Sequence, residues 1–324
     1  MDIGGNMILN FILLIFGFII LIKGADFFVE GASGVAGNFK VPKMLIGLTI
    51  VSFGTSAPEF AVSIKSLLSG SGDIVLGNVI GSNILNILLI VGTSALFHSL
   101  NVKNNTVRKE LPITLMITTA FAVLLSDNIF TKNIQNSFPR GDGLVLVLFF
   151  GVFLYYLISM SRNTIEQETD EEYPSMKKSI IFTILGLIGI VIGSNFVVDG
   201  ASELAKLIGI SERMISLTIV ALGTSLPELV TSVTATRKGE YDIAIGNVVG
   251  SNIFNIGMVV GIPVALIGGI TNINFSCVDI IVMLLAAFLL FLFSLNDNKI
   301  SKKDGLVLLS VFVIYYSYVI FSKI

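Results

Sequence analysis

The sequence predicts an all-α integral membrane protein of ten transmembrane helices, arranged as two inverted five-helix repeats. Three observations predict it. Of 324 residues, 54% are hydrophobic and only 13% charged, too apolar for a soluble domain and far too apolar for a disordered chain. A bilayer core takes about 20 apolar residues per helix, so this length with short connections has room for about ten spans. The chain also contains one unit twice: Gly54-Thr55-Ser56-Ala57-Pro58-Glu59 returns 169 residues later as Gly223-Thr224-Ser225-Leu226-Pro227-Glu228. Finally, the basic residues sort by loop. With the N-terminus outside, the inner loops hold Lys40, Lys43, Lys103, Arg108, Lys109, Arg162, Lys177, Lys178, Arg237, Lys238, Lys299, Lys302 and Lys303. The outer segments hold only Lys132, Arg140, Lys206, Arg213 and Lys323, a bias that places both termini outside the cytoplasm of a cell membrane.

The elements follow in order. The first apolar run predicts a helix over 7–36; the residues before it include Asp2 and no Lys or Arg, the wrong start for a cleaved signal, so it is read as a retained span. The next helix, 43–69, carries the Gly-Thr-Ser-x-Pro-Glu string. Helix 74–97 carries Gly77-Asn78, Gly81-Ser82-Asn83-Ile84 and Asn86, and ends at the single histidine, His98, read as interfacial. Apolar runs at 110–127 and 142–160 complete a first unit over 1–161. Residues 162–178 join the units as an acidic cytoplasmic hinge with Glu166, Glu168, Asp170, Glu171 and Glu172, which lack the spaced ligands and turn glycine of a calcium loop. The second unit, 179–324, repeats the plan with helices over 179–207, 212–238, 243–268, 275–294 and 304–322. The offset of 169 carries Gly24, Phe27, Gly31, Ala32 and Ser33 onto Gly193, Phe196, Gly200, Ala201 and Ser202. It likewise carries Gly77-Asn78 onto Gly246-Asn247, Gly81-Ser82-Asn83-Ile84 onto Gly250-Ser251-Asn252-Ile253, and Asn86 onto Asn255. Five helices per unit is odd, so the second unit enters the membrane from the opposite side, a transporter plan with its site at the repeat interface.

Several functions are excluded. The basic residues form no stripe that could track phosphates, so nucleic acid is not a partner. One cysteine, Cys277, permits neither an internal disulfide nor a cysteine metal cluster and is expected to be a small core residue. Tyr241-Asp242 and Gly70-Ser71-Gly72-Asp73 resemble strings of intramembrane aspartyl proteases, but they are repeat equivalents at loops on opposite faces, about 30 Å apart. They cannot share a proton.

The repeated motif has a chemistry of its own. On a helix Thr55, Ser56 and Glu59 share a face, as do Thr224, Ser225 and Glu228. Pro58 and Pro227 cannot donate to the carbonyls of Gly54 and Gly223, so each helix is distorted where its oxygens cluster. Ser82 and Asn86, with Ser251 and Asn255, add oxygens from neighbouring helices. All are hard donors that select cations such as Ca²⁺, and two carboxylates neutralise one Ca²⁺ or two Na⁺. Close packing explains the glycines, but it does not explain a glutamate at mid-membrane depth, twice. A channel built on the same oxygens would differ only in whether both gates open together.

Gly-Thr-Ser-x-Pro-Glu followed by Gly-Asn-x-x-Gly-Ser-Asn-Ile-x-Asn, twice, resembles the alpha-repeats of the cation/calcium antiporter superfamily, most closely prokaryotic sodium/calcium exchangers. The resemblance implies a secondary antiporter and not an enzyme, with Ca²⁺ and Na⁺ as its substrates, the lipid bilayer as its surroundings, no cofactor and no protein partner. It implies that Glu59 and Glu228 are the central carboxylates with Thr55 and Thr224 beside them. Ser56, Ser82, Ser225 and Ser251 would line flanking Na⁺ sites, with the carbonyls of Ser52 and Ala221. At Asn255 some archaeal and potassium-dependent members carry Asp, so an amide there lowers the possible site charge and argues against K⁺ co-transport. The proton/calcium branch, with Gly-Asn-Ala-x-Glu in its first motif, is less similar.

Overall fold

A computed structural model of the chain describes residues 3–126, 137–163, 173–207, 221–271 and 276–322. The first unit folds as α1 (Ile3–Phe39), α2 (Lys43–Thr55), α3 (Ala57–Leu68), α4 (Gly72–Phe97), α5 (Leu111–Leu125) and α6 (Arg140–Asn163). The second folds as α7 (Met176–Leu207), α8 (Ala221–Thr224), α9 (Leu226–Arg237), α10 (Tyr241–Leu266), α11 (Cys277–Leu295) and α12 (Lys302–Ser322). Among the described residues seven helices are long and apolar enough to cross a membrane, eight when α2 and α3 count as one bent span. Helix α5 has 15 residues. That is about 23 Å, short of a bilayer core, but a π-helical turn, Thr106–Glu110, leads into it without a break. The expected helix 212–238 begins outside the described residues, as do Arg213, Lys132, Lys323 and the acidic run of the hinge.

The outer helices present a strongly apolar surface. Leu148, Tyr155, Ile314 and Phe321 are each at least 70% exposed on the outer helices, an apolar surface that water would not tolerate over so wide an area. By contrast α4 and α10 are the interior, with 72% and 89% of their spans buried against 17% for α12. Phe121, Phe138, Phe153 and Leu88 fill the core around them.

Helices α1 and α7 pack along their length in opposite directions, Gly17 facing Gly193, Gly24 facing Ile190, and Gly31 facing Thr183. The approach needs glycine: a Cβ on Gly24 would lie 2.7 Å from the Ile190 backbone nitrogen. The turns after α3 and α9 are also equivalent. Gly70 and Gly239 adopt φ of +76° and +79°, the left-handed conformation that lets Ser71 and Glu240 donate back to the carbonyls of Ser66 and Ala235 at 2.8 Å.

Not everything is helical. Two antiparallel pairs of two-residue strands join the units crosswise, β1 (Leu100–Asn101) with β4 (Lys299–Ile300) and β2 (Ser137–Phe138) with β3 (Ile270–Thr271). The expectation for Cys277 is corrected: it is exposed, as the first residue of α11, where the chain enters the helix over the Ser276 cap and has not yet reached the core. His98 is exposed just past the end of α4, as expected.

Candidate cation site

The site begins with two broken helices. Pro58 cannot donate a hydrogen bond, and the chain bends by 45° between α2 and α3, with Ser56 at φ −85°, ψ 2°. Ser225, its equivalent between α8 and α9, takes φ −91°, ψ 4°. Each break puts a glutamate in the first turn of the following helix and leaves the carbonyl end of the preceding helix beside it. Helices α4 and α10 cross at the same level, and each widens into a π-helical stretch starting at its last motif residue, Asn86–Val91 and Asn255–Gly261. Such a stretch spreads one extra residue through the turn and re-aims side chains.

Side chains from both units meet there. Ser56 Oγ donates to Glu228 Oε1 at 3.2 Å, and Ser225 Oγ to Ser82 Oγ at 3.3 Å. Thr55 Oγ1 donates to Asn247 Oδ1 at 3.0 Å and lies 3.5 Å from Ser251 Oγ. The asparagines exchange contacts in equivalent pairs: Asn86 Nδ2 donates to Asn252 Oδ1 at 3.0 Å, and Asn255 Nδ2 to Asn83 Oδ1 at 3.1 Å. What these bonds leave over includes five carboxylate and amide oxygens. Both Oε atoms of Glu59, Oε2 of Glu228, and the Oδ1 atoms of Asn86 and Asn255 are buried without a hydrogen-bond donor. Buried oxygens without donors cost free energy that a cation offsets. A third buried glutamate, Glu110, lies outside this cluster: Tyr156 donates its hydroxyl proton to Glu110 Oε1, and Glu110 Oε2 is also buried without a donor.

Glu59, Glu228, Ser52, Thr55, Ser56, Ser82, Asn86, Ser225, Ser251 and Asn255 are all buried, while Thr224 is half-buried. The Ser52 carbonyl accepts the Ser56 N–H at 3.0 Å and, at 3.4 Å, the Thr55 hydroxyl. Ala221 is the first residue of α8. Sequence reasoning assigned no role to Asn83, Asn247 or Asn252, although all stand in the duplicated string; each bridges the two units. The aspartates of the protease-like strings stay apart: Asp242 pairs with Lys103 at 2.6 Å, while Gly72, beside Asp73, packs on Ile270 of β3.

The two approaches to the site differ. A cavity of about 360 Å³ is lined by Pro58, Val62, Asn195, Asp199, Thr224 and Pro227, among others. On the opposite side the equivalents of Thr224 and Val62, Thr55 and Thr231, are fully buried. The equivalent of Asn195 is Asp26, and there Lys238 Nζ donates to the Asp26 carbonyl at 2.7 Å and lies 3.6 Å from its carboxylate. Beside it Glu240 Oε1 accepts from Ser33 Oγ at 2.9 Å and from Lys43 Nζ at 3.1 Å. The positions equivalent to Lys238 and Glu240 are Ser69 and Ser71, so among the described residues the cavity side has no counterpart of the Lys238 and Glu240 contacts.

Known proteins resemble this chain in sequence and fold. The family model described as sodium/calcium exchanger protein matches residues 9–159 and 178–321. The inner membrane protein YrbG of Escherichia coli (strain K12) is 37% identical over 81% of this chain and 82% of its own length. The sodium/calcium exchanger MaX1 of Methanosarcina acetivorans is 31% identical over 95% and 97%. Among solved structures, the sodium-calcium exchanger NCX_Mj soaked with 10 mM Na⁺ and zero Ca²⁺ superposes with a TM-score of 0.83 at 32% identity, covering 96% of this chain and 99% of that one.

Proposed function

Because the chain belongs to the sodium/calcium exchanger family, we propose that it exchanges Na⁺ for Ca²⁺ across a cell membrane by alternating access, without K⁺. One observation carries the reading: two glutamates from two broken helices converge in a buried shell where three carboxylate oxygens and the amide oxygens of Asn86 and Asn255 have no hydrogen-bond donor. Such a shell of hard oxygens suits Ca²⁺ or Na⁺ and has no sulfur or imidazole ligand for a soft metal.

Glu59 and Glu228 hold Ca²⁺ centrally, with Thr55 and Thr224 beside them, and Na⁺ takes the same carboxylates together with Ser52, Ser56, Ser82, Ala221, Ser225 and Ser251. Asn86 and Asn255 close the ligand set as neutral oxygens. Access through one cavity, with the equivalent residues sealed on the other side, favours a carrier over a channel. Ten helices in two inverted units, 1–161 and 179–324, joined by a cytoplasmic hinge over 162–178, with both termini outside, form the scaffold. The opposed packing of α1 and α7 and the crosswise strand pairs support that inversion.

Na⁺-gradient-driven ⁴⁵Ca²⁺ uptake into proteoliposomes, with and without K⁺ and a pH gradient, tests the reading. Uptake that needs Na⁺ and ignores K⁺ is expected. Uptake driven by a pH gradient alone would place the chain with proton/calcium exchange instead.

A further inference from the structure

The cavity that reaches Thr224 holds one feature the ligand shell does not use. Asp199, on α7, lines it together with Asn195 one turn earlier, Thr224, Pro58, Val62 and Pro227. Its side chain is exposed, and among the described residues it makes no ion pair or hydrogen bond. Nearby acids are compensated: Glu203, one turn further along α7, pairs with Lys206 at 2.6 Å. Asp26, the equivalent of Asn195, is held by Lys238. Asp199 is therefore a carboxylate without a counter-charge among the described residues, in a cavity whose walls are mostly apolar, and such walls concentrate its field along the cavity.

Resting on the exchange reading above, we infer that Asp199 is a capture residue, which gathers cations from solution into the approach to Glu59 and Glu228 without itself belonging to the ligand shell. The physics gives the inference a signature. A fixed potential enriches an ion by an exponential in its charge, so whatever factor applies to Na⁺ applies squared to Ca²⁺. For one charge at about 10 Å across a partly aqueous path, that factor is about two for Na⁺ and about four for Ca²⁺ at 0.1 M ionic strength. It fades as the screening length falls to about 3 Å at 1 M salt.

The test compares the unmutated protein, Asp199→Asn and Asp199→Glu in membrane vesicles, varying Ca²⁺ or Na⁺ on each face in turn at ionic strength fixed with choline chloride. For Asp199→Asn the half-saturating Ca²⁺ concentration should rise about fourfold and that of Na⁺ about twofold, on one face only, at unchanged maximal rate. Asp199→Glu should stay close to the unmutated protein, and 1 M choline chloride should erase the difference. An unchanged half-saturating Ca²⁺ concentration would overturn the inference. So would equal factors for the two ions, a shift that survives high salt, or a loss of maximal rate in both variants. Absence of Na⁺-driven Ca²⁺ uptake by the unmutated protein would overturn the exchange reading itself, and the inference with it.

Discussion

Glu59 and Glu228 are equivalent by sequence but not by surroundings. Glu228 accepts a hydrogen bond from Ser56, and Glu59 has two buried oxygens without any donor. Each Glu→Gln change keeps the volume and removes half the charge that faces a divalent ion. At about 4 Å and an intermediate dielectric one carboxylate attracts a unit charge by about 4 kcal/mol and a divalent ion by about twice that, so Ca²⁺ flux should fall by roughly a thousandfold or more in either variant while the protein still elutes as a folded species. Near-normal flux in one of them would remove it from the site. Asn255 leaves the set without a third carboxylate, so exchange should be indifferent to K⁺; Asn255→Asp should make it respond to K⁺ or to pH, measured in the same uptake assay. At this scale the sequence displayed the glutamates and hydroxyls because they are duplicated and chemically out of place in a membrane. The asparagine exchange, Asn86 with Asn252 and Asn255 with Asn83, stayed hidden. A bond across units depends on how α4 and α10 cross, which no spacing within one helix reports.

The broken helices were legible for a related reason: a proline four residues after a glycine leaves that glycine's carbonyl without its usual donor whatever surrounds it. The π-helical stretches at Asn86 and Asn255 were not, since one extra residue in a turn is decided by packing and carries no fixed residue signature. Nor was the difference between the two approaches, because equivalent residues such as Thr55 and Thr224 read alike until their neighbours are placed. The closure by Lys238 and Glu240 belongs to this scale. It ties α1 to the turn between α9 and α10, so removing it should loosen the covered side. In a Cys277→Ser background, a cysteine replacing Thr231 should react with a water-soluble thiol reagent several times faster when Lys238→Ala is added. Val62→Cys, on the cavity side, should not gain. Equal rates with and without Lys238 would mean that packing alone closes that side.

Across the whole molecule, exchange transfers net charge if it follows the cycle of three Na⁺ for one Ca²⁺ that the resemblance to the antiporter family implies. With Ca²⁺ the site is formally neutral; with three Na⁺ it carries one positive charge, which feels about 2.3 kcal/mol per 100 mV of membrane potential. An imposed valinomycin/K⁺ potential should therefore shift the equilibrium Ca²⁺ gradient, and a gradient that ignores it would require two Na⁺ or a compensating proton. The duplication made the architecture legible at this scale, since one register held from Gly24 to Asn86 relates three helices of one unit to three of the other at once. The strand pairs escaped notice because two residues are too few to show an alternating pattern. They nonetheless constrain how the protein is made. Leu100–Asn101 finds its partner only when Lys299–Ile300 has been synthesised, which at about 5–20 residues per second is about 10–40 s later. During that interval the first half stands in the membrane with its ligand shell half built, dependent on a partner still on the ribosome. A chain severed between its units should assemble only when both fragments are produced together, and either fragment alone should be degraded.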